Sequence, residues 1–114
     1  MESEYKINLY EIMKTQVAAG RTAADGHPGG DTIRLLIEEH WDKCEKINVY
    51  FDGVVKMSRP FVDEAFAKIL EKYSLEDFNK KMYFPDATDS IVKALNDAFK
   101  LRLKIIRSQK ERGE

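Results

Sequence analysis

Apolar and polar residues recur along this chain with two different periods. From Lys6 to Met13, Ile7 and Leu9 fall on one side of an extended backbone and Tyr10 and Ile12 on the other. That stretch reads as a strand, and apolar residues on both faces imply cover on both sides. Ile47, Val49 and Phe51 alternate with Asn48, Tyr50 and Asp52, a second strand that Asp52-Gly53 stops. Lys80 to Phe84, ended by Pro85, is a short third. The helical period takes over between and after them. Behind Asp31, read as an N-cap, Ile33, Leu36, Ile37, His40, Trp41 and Cys44 line one face of a helix. Ser58-Arg59-Pro60 opens a second, with proline in the first turn where its missing N–H is harmless, and Phe61, Val62, Ala65, Phe66, Ile69, Leu70 and Tyr73 as its stripe. A long final helix, capped by Asp86 or Thr88, carries Ile91, Val92, Leu95, Ala98, Phe99, Leu103 and Ile106. Lys14 to Gly30, rich in Ala, Gly and Thr and ending in Gly26-His27-Pro28-Gly29-Gly30, reads as a long functional or mobile loop.

The order is β-loop-α-β-α-β-α. It predicts an α/β fold with a mostly parallel or mixed sheet of three to four strands, three or more helices and right-handed crossovers. Val49, Phe51, Phe61, Phe66, Ile69, Leu95 and Phe99 are the expected core. At 114 residues the chain is the length of one domain, taken as 1–114 with a basic helical tail over 104–114. Its 43% hydrophobic and 34% charged residues are those of a folding chain rather than a disordered one. Lys plus Arg (19) nearly balance Asp plus Glu (20), which argues against a generally basic nucleic-acid binder. No apolar run approaches the ~20 residues of a membrane span. The acidic start Met1-Glu2-Ser3-Glu4 is unlike a signal peptide, and Cys44 is the only cysteine, so the expected location is cytoplasmic.

Candidate chemistry is sparse. His40 and Cys44, four apart, would share a helix face, but two ligand types fall short of the four a structural zinc needs, and His27 is the only other histidine. The glycines before Asp31 sit where a phosphate cradle could form. No GxxxxGK[ST] or GxGxxG follows, and Asp31 puts a negative charge there. Asp63 and Glu64, adjacent on a helix, point about 100° apart and do not converge on one proton or metal. Their roles are capping or surface ones, and a contact from Glu64 to Arg21 is one structural use. No catalytic constellation, cofactor or metal is expected. Between Lys93 and Arg112 seven basic residues face two acidic ones, a local balance of +5. This suits the negative end of a helix or an acidic partner. Leu101, Leu103, Ile105 and Ile106 fall on several faces of it, which hints at a homo-oligomer through this helix.

The run Val49-Tyr50-Phe51-Asp52-Gly53-Val54, followed by Ser58-Arg59-Pro60-Phe61-Val62-Asp63-Glu64-Ala65-Phe66, resembles the STAS-like domains of unknown function, distant relatives of the sulphate-transporter and anti-sigma-factor-antagonist domains. Gly20-Arg21-Thr22-Ala23-Ala24-Asp25-Gly26 and Arg34 are similar to that family's first loop, and the likeness spans roughly 5–103. It implies a small sheet with helices mainly on one side and a non-enzymatic role of docking onto a partner, often an ATP-binding kinase of the anti-sigma type. That kinase phosphorylates a serine at the start of a helix. The family's serine usually stands immediately before the phenylalanine; here Pro60 does, and Ser58 lies two residues earlier.

Three functions follow. The first is a non-catalytic protein-interaction or regulatory module, with an ATPase-type kinase as one candidate partner. The second is a nucleic-acid-associated protein using the basic C-terminal helix, and the third a small-ligand or nucleotide binder at the Gly-rich loop. For the first, the expected docking face combines the loop Gly53–Pro60 with the loop Arg21–Asp31, since both follow strands and precede helices at the carboxyl edge of a parallel sheet. Arg21, Asp25, Asp31, Ser58 and Arg59 are its residues, and Ser58 is either a phosphosite or a plain N-cap.

Overall fold

The computed structural model describes residues 2–111. Its strands are β1 (Glu2–Asn8), β2 (Val17–Ala18), β3 (Cys44–Tyr50), β4 (Lys56–Met57) and β5 (Met82–Tyr83). Its helices are α1 (Leu9–Met13), α2 (Gly30–His40), α3 (Arg59–Ala65), α4 (Leu75–Lys81) and α5 (Asp89–Glu111), with a 3₁₀ segment at Ala67–Glu71. β1, β3 and β5 form a parallel sheet in that order, and β2 pairs with β4, also parallel, in a separate two-stranded sheet. The fold is α/β with a long C-terminal helix, in agreement with the alternation in the sequence.

Register decides which residues meet the helices. Ile7 lies opposite Val49, and Ile47 lies between Tyr5 and Met82. Of this row, Ile7, Ile47, Val49 and Met82 are buried. Glu4, Lys6, Lys46 and Tyr83 project to the other face and are exposed. The first strand is therefore not covered on both sides as its apolar residues suggested. It also ends early. Asn8 accepts a hydrogen bond from Glu11 N (3.2 Å) and caps α1, so Leu9 and Met13 become the buried i, i+4 pair of a helix.

Other expectations change for local reasons. Gly29, not Asp31, is the N-cap of α2, and its N–H donates to Thr32 Oγ1 (3.1 Å). Asp31 sits in the first turn, where a carboxylate suits the helix dipole. The helix ends at His40, so Cys44 lies in β3, buried, and shares no helix face with His40. α4 takes up Lys80 and Lys81 and leaves only two residues of the expected third strand. Thr88 rather than Asp86 serves the start of α5, accepting from Ile91 N at 3.3 Å. Asp86 instead accepts from Phe51 N (2.8 Å) and Asp52 N (3.0 Å), tying the β5–α5 connection to the end of the central strand.

Six of the seven expected core residues are buried, and Phe99 is half-buried. Along α5, Ile91, Leu95, Ala98, Phe99, Leu103 and Ile106 pack on the core, while Val92 and Leu101 are exposed. Of the four apolar residues scattered near the end of this helix, Leu103 and Ile106 pack on the core, Leu101 is exposed and Ile105 is half-buried. Arg112, counted among its basic residues, lies outside the described residues.

Candidate functional site

The long loop before α2 is not free. Its β2 segment lies beside β4, and Ser58 N donates to Ala18 O (2.8 Å). Ser58 Oγ donates to Ala19 O (2.6 Å) and accepts from Phe61 N (3.2 Å). One hydroxyl therefore caps α3 and fastens the first loop to it. The loop then runs to α2, where Gly30 N donates to Gly20 O (2.8 Å) and Asp31 N to Arg21 O (3.0 Å). Asp31 Oδ1 returns a bond by accepting from Ala23 N (2.9 Å). The amides that a phosphate would need are thus held by the loop itself. The glycines serve proximity: a Cβ on Gly29 would stand 2.4 Å from Thr22 C, and one on Gly30 2.9 Å from both Phe61 O and Glu64 Cβ.

This close approach of α2 to α3 brings Arg34 to Glu64. Arg34 Nη2 and Nε reach Oε2 at 3.2 and 3.3 Å, while Arg21 Nη1 (3.2 Å) and Lys68 Nζ (3.2 Å) reach Oε1. Glu64 is 3% exposed, and three cations surround it. Asp63 turns the other way. It meets Arg21 Nη1 at 2.8 Å and takes both arms of the Arg102 fork from α5, Nε at 2.9 Å and Nη2. Arg102 also reaches Glu71 at 3.3 Å, and Arg34 reaches Glu38 at 3.1 Å. The adjacent acids of the helix-start motif therefore take different main partners, Arg34 and Lys68 for Glu64 and Arg102 for Asp63, and meet on one nitrogen, Nη1 of Arg21.

The fields follow from this arrangement. Burial works to raise the pKa of Asp63, but hydrogen bonds from Arg102 and Arg21 outweigh it and leave the carboxyl below its ordinary value. Glu64 is likewise lowered: burial opposes, and Lys68 and Arg21, then Arg34, prevail. Arg102 is raised chiefly by its hydrogen bonds to Asp63. These groups remain ionised at neutral pH, which suits a clamp rather than proton transfer.

Of the five residues expected at a docking face, Arg21 belongs to the clamp, Ser58 and Asp31 are committed to loop bonds, and the side chains of Asp25 and Arg59 form no ion pair or hydrogen bond among the described residues, although, after the hydrogen bond from Lys93, the Arg59 charge helps hold the Asp97 carboxyl below its ordinary value. The two loops do run side by side, joined by β2–β4. Two open cavities flank them. A groove of about 590 Å³ lies between β4, the start of α3 and α5, with Met57, Val62, Ala98 and Leu101 along its floor and Lys56 and Arg59 on its rim. A cleft of about 740 Å³ under the first loop is lined by apolar residues such as Ile12 and Val17, with Lys14 and His27. No group of His, Cys, Asp and Glu that could hold a metal occurs among the described residues, and no described helix is long and apolar enough to cross a membrane. Sequence reasoning missed Arg102 and Arg34 as partners of the acidic pair. No local pattern marks Arg102; the Arg34–Glu38 spacing alone was visible.

No curated protein and no solved structure matches the chain. A family model does: the STAS-like domain of unknown function (DUF4325), over residues 29–92. That span holds Arg34, the end of β3, the Ser58 cap and the Asp63–Glu64 pair, and leaves the loop Gly20–Gly26 outside it. With more than half its length matched, and β3, β5, the capped α3 and the Asp63–Glu64 pair inside the match, the chain belongs to the STAS-like domain family of unknown function.

Proposed function

We propose that this chain is a non-catalytic protein-interaction module that docks a partner along the groove between the start of α3 and α5. The groove itself carries this reading. It has an apolar floor, with Leu101 57% exposed, beside a rim where Arg59 and Lys56 form no ion pair among the described residues. Lys93 and Asp97 on the same lining pair with each other at 2.9 Å, and apolar surface edged by the cations left over fits a protein segment with apolar anchors and acidic flanks. The motif carboxylates are engaged in holding elements together, which supports a role without catalysis. Ser58 supports docking through its cap; its phosphorylation by an ATPase-type kinase would first require the bond to Ala19 O to open.

The test is affinity purification of the tagged chain from its native cell, compared with Arg59→Glu and Leu101→Glu. Both positions are exposed, so both variants should melt like the wild type. The expected result is a stoichiometric partner kept by the wild type and lost by both variants. Retention by both, or turnover of a nucleoside triphosphate by the pure chain, would overturn the reading. A second reading rests on the exposed stripe Lys100, Lys104 and Arg107 on α5: nucleic-acid binding whose affinity falls steeply with salt.

A further inference from the structure

β1 is an edge strand. It is seven residues long, and its backbone pairs only with β3, so among the described residues one whole side of its amides and carbonyls has no strand against it. Edges of this length template pairing with another chain unless bulges, prolines or blocking charges prevent it. β1 has no proline, and Glu4 and Lys6, opposite in charge and two apart, project from the same exposed face.

We infer that β1 pairs antiparallel with β1 of a second copy about a two-fold axis at Tyr5. In that register Glu4 lies opposite Lys6 of the other copy, and Lys6 opposite its Glu4, on one face. Directly opposed side chains in an antiparallel pair have Cβ atoms about 4.5–5.5 Å apart, close enough for these charges to decide register. Moving the axis one residue along the strand puts Glu4 opposite Glu4 in one direction and Lys6 opposite Lys6 in the other, and like charges directly opposed are unfavourable. The two-fold, self-complementary patch is the requirement of a closed dimer. It joins two three-stranded sheets into one of six and removes the open edge. On the inner face, Tyr5, stacked on His40 at 3.6 Å between ring centroids, comes to lie against its counterpart. No residue of β1 lines the groove proposed for the partner, and the pairing stands independently of that reading.

Sedimentation equilibrium of the full chain tests the pairing from micromolar to submillimolar concentration. The wild type is expected to be a concentration-dependent dimer. Glu4→Lys and Lys6→Glu, each alone, place like charges opposite one another twice and should weaken the dimer about tenfold or more. An equimolar mixture of the two restores both opposite-charge pairs and should recover it. Circular dichroism of each variant checks that the monomer fold is kept, as expected for exposed positions. A wild type monomeric throughout, single variants that dimerise like the wild type, a mixture that recovers nothing, or a dimer dissolved by Leu101→Glu instead would each overturn the proposal.

Discussion

Gly30→Ala should destabilise the protein even though it exchanges a poor helix former for the best one. Gly30 is the first residue of α2, and alanine there gains up to about 1 kcal/mol of helix propensity. Against this, the new Cβ would lie 2.9 Å from Phe61 O, 2.9 Å from Glu64 Cβ and 3.2 Å from Ala65 N. These atoms belong to the backbone and the base of a side chain in α3, so none can swing aside. Relief requires α2 to move from α3, and the Arg34–Glu64 contact across that seam moves with it. Overpacking of this kind costs about 1–3 kcal/mol, and the rigidity of the partners places this case near the top of that range. The net expectation is a loss of about 1–2 kcal/mol, a fall in Tm of about 4–8 °C for a domain of this size. Urea and thermal unfolding followed by circular dichroism read it directly. Gly26→Ala is the control. Its φ is +78° with nothing within 4 Å of a Cβ, so it carries only the backbone penalty of about 1–2 kcal/mol and leaves the α2–α3 seam intact. A Gly30→Ala protein that melts at or above the wild-type temperature would refute the reasoning, because propensity alone would then govern the site.

The depressed Asp63 and Glu64 carboxyls contribute stability that is fully present above their ordinary range and lost as pH falls through their folded values. Tm should hold from neutral pH to about 5 and decline below it, with a shallower acid slope in Asp63→Asn measured by the same melts. Arg102→Met removes the fork that α5 lays on Asp63 and should cost about 2–3 kcal/mol in urea unfolding. Arg102→Lys should recover only part of it, since a point charge cannot span both oxygens. Asp86→Ala leaves the amides of Phe51 and Asp52 without their acceptors, so their hydrogen exchange should quicken, with a stability loss of about 1 kcal/mol.

The parts of this fold that were legible in the sequence are those set by short-range pattern. The alternation around Val49, the stripe behind Phe61 and the cap at Ser58 each depend on neighbours within a turn or two. α4 escaped notice although its signals are local. Ser74 caps it by accepting from Asp77 N (3.0 Å), Glu76 and Asp77 stand in its first turn, and Lys80 and Lys81 in its last. A competing strand reading of Lys80–Phe84 masked them. β2 was illegible for a different reason. Two residues carry no period, and they are strand only because β4 lies beside them. The site divides the same way. Arg21 meeting Glu64 could be imagined from two motifs, whereas Arg102 reaching Asp63 depends on how α5 crosses α3, a tertiary matter with no trace in spacing.

Every strand pairing in the three-stranded sheet is long-range. Tyr5 waits for Ile47, and Ile47 for Met82, each separated from its partner by about forty residues or slightly fewer. No hairpin exists in this sheet to nucleate it, so folding must close large loops before the first ladder bond forms. At the usual elongation rate of about 5–20 residues per second, β1 is made roughly two to eight seconds before its partner strand. In that interval only the short helix α1 and then α2 are made after it, neither of them a strand that it pairs with, and the order of synthesis, rather than the stability of the strand, fixes when the sheet can begin.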